Sequence, residues 1–204
     1  MAWDIFNIIG TIAFALSGAV IAMEAKYDIM GTYFLGLTTS FGGGAIRNLF
    51  IGTPITELWQ QTALFTVAIM TITIIIILPE HTIERLQKWS LFDSIGLSAF
   101  AVQGAILAHA VDMPLLAVMF SAAITGAGGG IIRDILAQRK PIVFREEIYL
   151  LWAVIAGFII GMDWAIKSYH FYLLFGTILT LRVISHKYGW RLPVRTVEGQ
   201  SIQR

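Results

Sequence analysis

The chain contains no cysteine, and only 13% of its residues are charged. The first absence excludes a disulfide framework, a thiolate metal site and a cysteine nucleophile. The second is about half the charge that a soluble domain carries. The four histidines, His81, His109, His170 and His186, lack the mutual spacing of shared metal ligands. Gly126, Gly128, Gly129 and Gly130 are not followed by Gly-Lys-Ser/Thr and sit in an apolar run rather than after a strand, so they do not form a phosphate loop. No serine stands in a nucleophile elbow. The sequence therefore predicts neither catalysis nor a metal, a cofactor or a nucleic-acid partner.

What is abundant is apolar sequence: 57% of the residues are hydrophobic and the mean hydropathy is +0.76. Stretches long enough to approach or span a bilayer of about 30 Å run over 3–23, 29–51, 58–78, 92–111, 114–136, 148–166 and 169–185. Ala13, Phe14 and Ala15 imitate a cleavage site, but Met1, Ala2, Trp3 and Asp4 supply no basic n-region, so the first stretch is expected to be a mature span. Basic residues collect in alternate loops. One side holds Lys26, Arg85, Lys88, Arg139, Lys140, Arg145 and the tail from Arg182 to Arg204, and the other holds only Lys167. The rich side is expected to be cytoplasmic, with the N-terminus outside and the C-terminus inside, and the basic residues of the tail after Ser185 to hold topology and touch anionic membrane lipid. Trp3, Trp59, Trp89, Trp152, Trp164 and Trp190 fall near span ends, as an interfacial belt does.

Within this apolar background, Gly42, Gly43, Gly44, Ala45, Ile46, Arg47 and Asn48 recur as Gly128, Gly129, Gly130, Ile131, Ile132, Arg133 and Asp134. A shift of 86 residues also superposes Phe6 on Phe92, Gly10 on Gly96, Phe14 on Phe100, Gly18 on Gly104 and Thr39 on Thr125. Each repeat holds three spans, and an odd number turns the second repeat upside down relative to the first. The expected fold is an all-α integral membrane protein with seven transmembrane helices. Residues 1–78 form the first three-helix repeat, 79–91 a cytoplasmic connector, 92–166 the second, inverted repeat, 167–185 the seventh helix and 186–204 a cytoplasmic tail.

Glycine costs about 1 kcal/mol relative to alanine inside a helix, so each triplet predicts a break in helix 2 or helix 5. The carbonyls freed before the breaks, near Thr39, Ser40 and Thr125, would attract cations, and the amides after them anions. Arginine within a span costs about 2.5 kcal/mol or more and is then paired or faces water. Asp93 is accordingly expected to pair with Arg133, which Asp134 follows directly, and Asp4 or Asn7 to meet Arg47. Ser17, Ser94, Ser98, Gln103 and Ser121 are further intramembrane polar residues.

The paired Gly-Gly-Gly-x-x-Arg motifs at 42–47 and 128–133, inside a three-plus-three repeat followed by a seventh helix, resemble the prokaryotic members of the trimeric intracellular cation (TRIC) channel family. Bacterial sequences of this kind often carry a "glycine transporter" label. The resemblance implies a homotrimer in a prokaryotic inner membrane, with a pore in each protomer around kinked helices 2 and 5. The kinks would be Gly42, Gly43, Gly44 and Gly128, Gly129, Gly130, and the permeant ions monovalent cations such as potassium and sodium. The basic lipid-headgroup cluster of animal members has no match here. The alternative from the residues alone is a secondary carrier for a small zwitterion such as glycine, its carboxylate on amides and arginine and its ammonium on carbonyls.

Overall fold

A computed structural model describes residues 2–79, 81–83, 91–145, 148–165 and 167–190. All regular structure among these residues is helical: α1 (Ala2–Glu24), α2 (Ile29–Ile51), α3 (Thr56–Trp59), α4 (Thr62–Ile77), α5 (Leu91–Ala110), α6 (Leu115–Leu136), α7 (Ile142–Arg145), α8 (Tyr149–Gly161) and α9 (Ser168–Tyr188). By length and composition, α1, α5 and α6 are each long and apolar enough to cross a membrane, while α4 is apolar but shorter. The expected connector falls largely outside the described residues, since 80 and 84–90 carry Arg85, Lys88 and Trp89. Of the expected tail, 191–204 lies outside them as well.

Local chemistry sets the helix ends. Asp28 caps α2 by accepting a 2.7 Å bond from the Gly31 amide, and Gly52, at φ 74°, closes the helix in the left-handed region that glycine enters without strain. The third span, expected over 58–78, divides into α3 and α4 at Gln60 and Gln61. There the Gln61 side chain is turned inward to accept a 3.2 Å bond from Asn7 Nδ2 on α1. The sixth, expected over 148–166, stops at Gly161, because Asp163 adopts φ 58° and turns the chain.

The expected breaks in α2 and α6 are absent. Both helices run continuously through their glycine triplets, and none of the six glycines has positive φ. Intrinsic propensity is overridden by packing: the missing side chains let the two backbones touch. A Cβ on Gly43 would lie 2.6 Å from the Thr125 carbonyl oxygen, one on Gly128 3.0 Å from Gly43 Cα, and one on Gly129 would collide with the Thr39 carbonyl oxygen. Since residue 39 meets 129 while 43 meets 125, α2 and α6 pass each other in opposite senses.

Around this crossing, α1 packs on α2 and α4, α5 packs on α6 and α8, and the two groups meet through α1 against α5 and α2 against α6. Helix α9 lies against α5 and α8. Phe6, Leu97, Val102, Ile160 and Ile178 belong to the larger apolar core, and Ala15, Ala19, Ala68, Ile72 and Ile75 pack α1 on α4. Several contacts recur at the 86-residue spacing. A Cβ on Gly10 would meet the Phe100 ring and one on Gly96 the Phe14 ring; the two rings stand edge to face with centroids 5.2 Å apart. Positive φ recurs at Lys26 (58°) and Asp112 (54°), and at Gly52 (74°) and Gln138 (56°).

Candidate functional site

Both arginines following the triplets are buried, Arg47 to 3% and Arg133 to 1% exposure. A buried guanidinium must be hydrogen-bonded or solvated, and each has been given partners by its own helix and by the opposite group. From Arg47, Nε and Nη2 donate to Asn48 Oδ1 at 3.1 and 2.7 Å, and Nη1 donates to Gln103 Oε1 on α5 at 2.6 Å. From Arg133, Nε donates to Asp134 Oδ1 at 2.8 Å, and Nη1 reaches Asp93 Oδ1 on α5 at 2.7 Å and Ser17 Oγ on α1 at 2.5 Å. The shift of 86 that pairs the arginines also pairs Asn48 with Asp134 and Ser17 with Gln103. The geometry repeats while the charge does not. Neutral amides hold Arg47, whereas two carboxylates surround Arg133. Asp134 uses its second oxygen, Oδ2, to accept a 3.0 Å bond from the Ile142 amide, tying the cluster to the start of α7.

The structure thus brings Asp93 and Asp134 to Arg133. The bonds of Arg47 go to Asn48 and Gln103 rather than to Asp4 or Asn7; Asp4 is exposed and Asn7 is bonded to Gln61. Thr39, Ser40 and Thr125 lie buried at the crossing. With the helices unbroken, their hydroxyls bond within their own helices, Thr39 to the Leu35 carbonyl at 2.6 Å, Ser40 to Gly36 at 3.0 Å and Thr125 to Ser121 at 2.6 Å. Ser40 also reaches the Thr11 carbonyl on α1 at 3.2 Å. Gly42 lies against Ile132, Gly43, Gly128 and Gly129 form the backbone contact, Gly44 has room, and Gly130 is buried.

Two cavities meet at Arg47. A vestibule of about 310 Å³ is lined by Trp3, Arg47, Asn48, Glu57, Gln60 and Gln61. Below it a cavity of about 20 Å³, room for one water, is lined by residues that include Asn7, Ser40, Arg47, Gln61, Gln103 and Thr125. A separate lateral cavity of about 380 Å³ is almost wholly apolar, and Phe41 and Leu58 form the wall between it and the small polar one. In that wall the rings of Phe41 and Phe65 stack at 4.1 Å, with Trp59 following Phe65 at 5.5 Å.

Sequence reasoning missed Gln61, Asn48 and Glu57 as parts of this site. Asn48 had a signal, since it occupies in the first repeat the place of Asp134 in the second. Gln61 and Glu57 had none, because they lie where one apolar run divides.

Comparison with known proteins shows which family and fold the chain shares. A family model described as "Glycine transporter" matches residues 4–80 and 90–163. The UPF0126 membrane protein YvgT of Bacillus subtilis is 50% identical over 96% of this chain and 98% of its own length. Among solved structures, a TRIC cation channel studied for its conductance is 36% identical, covers 98% of this chain and 100% of its own, and superposes with a TM-score of 0.82. A prokaryotic TRIC channel crystallised in 0.5 M KCl is 33% identical over 93% of this chain and 98% of its own, with a TM-score of 0.79.

Proposed function

As the chain belongs to the glycine transporter family, whose solved members include the prokaryotic TRIC channels, we propose that it is a membrane channel for monovalent cations, potassium and sodium, with a path through each protomer of a homotrimer. The relatives support an integral membrane protein of the TRIC fold with no enzymatic role. The observation that carries this reading is the set of buried polar groups between α1, α2, α5 and α6. Arg47, Gln103, Ser40 and Thr125 line a small polar cavity on one side of the crossing, and Ser17, Arg133 and Asp93 form a buried hydrogen-bonded cluster on the other. Polar groups buried at membrane depth are costly, and they mark routes for ions or water.

Seven spanning helices, arranged as two inverted repeats with α9 as the seventh, are the architecture proposed here. The contacts paired at the 86-residue spacing support it. The proposed domains keep the boundaries at 78, 91, 166 and 185, and the proposed topology keeps the N-terminus outside and the C-terminus in the cytoplasm. The unbroken triplets weigh against a carrier whose zwitterion is held by helix ends at the midplane, because those ends do not exist. They also move the proposed cation contacts from freed carbonyls to side chains and water. Gly42, Gly43, Gly44, Gly128, Gly129 and Gly130 then matter as the surface on which α2 and α6 meet beside the path.

In this reading Arg133 bridges Ser17 on one side of the path and Asp93 on the other, and the path conducts when that bridge is released. The carboxylates of Asp93 and Asp134 offset the arginine, which would otherwise repel cations. The test is single-channel recording of purified protein in a planar bilayer under a potassium gradient. Discrete openings reversing near the potassium equilibrium potential are expected, with Asp93→Asn raising the open probability. A silent bilayer, together with saturable uptake of labelled glycine into proteoliposomes of the same preparation, would overturn the channel in favour of the carrier.

A further inference from the structure

The end of the molecule that carries Arg133 is tied together by contacts that the vestibule end lacks. Glu24, the last residue of α1, pairs its Oε2 with Arg139 Nη1 at 2.6 Å, and both side chains are part-exposed. Three residues on, the Tyr27 hydroxyl donates to the Leu136 carbonyl oxygen at 2.5 Å. Leu136 is the last residue of α6, so its carbonyl is one of the four that a helix end cannot use itself. The turn between α1 and α2 is thus joined twice to the end of α6. Beneath these bonds Ala137 is buried with Ala22 of α1 and Leu35 of α2. Arg133 stands about one helical turn before Leu136, and its partner Ser17 about two turns before Glu24, so the double tie lies between the buried Arg133 cluster and the nearer surface.

The shift of 86 that relates the repeats shows that this tie belongs to one end alone. Its apolar seat recurs, since Ile51 corresponds to Ala137 and Ala108 to Ala22, and both are buried in one core. The tie does not recur. Glu24 and Tyr27 correspond to Ala110 and Met113, which carry neither an acid nor a hydroxyl, and Arg139 corresponds to Thr53. At that end Arg47 lines the vestibule of about 310 Å³.

We propose that the pair of Glu24 with Arg139 and the bond from Tyr27 to Leu136 form a latch that keeps the Arg133 end closed, and that its release admits small cations to Asp93 and Arg133. Both bonds are partly exposed, so each can be broken and remade without unfolding the helices it joins. A latch of two such bonds sets an equilibrium between closed and released forms, and a modest change in either bond shifts it. The effect on current rests on the channel reading, whereas the closure does not.

The chain has no cysteine, so Ser17→Cys introduces a single thiol at the Arg133 cluster. The test is its rate of modification by a water-soluble cationic methanethiosulfonate, in the purified full-length protein in detergent. Tyr27→Phe combined with Glu24→Gln is expected to raise that rate at least about fivefold. Ala137→Cys, in the seat of the latch, is a second reporter expected to respond alike. Gly44→Cys, where a side chain has room beside Arg47, reports on the vestibule end and is expected to react at an unchanged rate. Glu24→Arg together with Arg139→Glu, which rebuilds the pair with its charges exchanged, is expected to keep the slow rate, while either reversal alone raises it. Unchanged rates at both reporters in the Tyr27 and Glu24 double variant would overturn the latch, as would an equal rise at Gly44→Cys, the mark of general loosening. Potassium currents of the same variants separate the latch from the channel reading. Faster thiol reaction with no change in an existing current overturns the control of conduction, and a protein that never conducts overturns the channel while the latch stands on the thiol rates.

Discussion

The opposed behaviour of two adjacent glycines gives the sharpest check on how α2 meets α6. In Gly43→Ala the new methyl would stand 2.6 Å from the Thr125 carbonyl oxygen, about 0.8 Å inside the 3.4 Å where ordinary contact begins, and 3.2 Å from the Gly129 amide nitrogen. Both obstacles are backbone, so no rotamer change relieves them and the helices must separate. Overpacking of this kind costs about 1–3 kcal/mol, and with backbone on the far side the upper end applies. The helix gains about 1 kcal/mol from replacing glycine, leaving a net loss of about 2 kcal/mol. In Gly44→Ala the nearest atoms are Arg47 Nη2 at 3.6 Å and Leu58 Cδ1 at 3.7 Å, so the methyl fits and only the gain of about 1 kcal/mol remains. Thermal unfolding of the purified variants in one detergent reads the difference directly. Gly43→Ala is expected to lower Tm by about 4–8 °C and Gly44→Ala to raise it by about 2–4 °C, using the usual scaling for a chain of this size. If Gly43→Ala is as stable as the wild type, or Gly44→Ala is the worse of the two, the backbone crossing is not the contact described.

Asp93→Asn removes one carboxylate from a buried ion pair and is expected to cost about 3 kcal/mol, measured by thermal unfolding; the double variant with Arg133→Gln should recover part of that loss. Gln103→Leu takes away the acceptor that reaches Arg47 from α5 at 2.6 Å and should cost about 1.5–3 kcal/mol by the same measurement, with Gln103→Glu restoring stability. A Cβ at Gly176 would have no neighbour within 4 Å, so Gly176→Ala should raise stability by up to about 1 kcal/mol, and a fall in Tm would mean that this face of α9 is covered by another chain. The pair between Arg139 and Glu24 is part-exposed, so Glu24→Gln should change stability by under about 1 kcal/mol and the effect should shrink with added salt.

Much of the fold was legible because its signals are local. The apolar runs matched α1, α2, α5 and α6 to within about a residue at each end. Seeing Arg133 as a residue in need of a carboxylate required only its burial in an apolar stretch. The breaks at the glycine triplets failed for a physical reason: propensity describes an isolated helix, and here the space vacated by the side chains is filled by the opposite helix. No single-helix measure contains that term. The partners of Arg47 failed differently. The 86-residue shift relates Gln103 to Ser17 and Asn48 to Asp134, but it says nothing about which groups face each other across α1 and α5. The vestibule was hidden because Glu57, Gln60 and Gln61 acquire a common orientation only when the third span divides into α3 and α4.

The contact between the triplets also has a mechanical meaning. Gly43 and Gly129 touch backbone to backbone, with no side chain between them to rotate, so α2 and α6 resemble the blades of a pair of scissors joined at one rivet. The rivet is off centre. From Gly43, α2 extends about 21 Å back to Ile29 and about 12 Å forward to Ile51, at the ordinary helical rise, and α6 is divided in nearly the same proportion. The arginines ride on the short blades. A swing that moves the tip of a short blade by a given amount carries the tip of the long blade nearly twice as far, so a small displacement near Arg47 or Arg133 is delivered, enlarged, to the opposite face of the molecule.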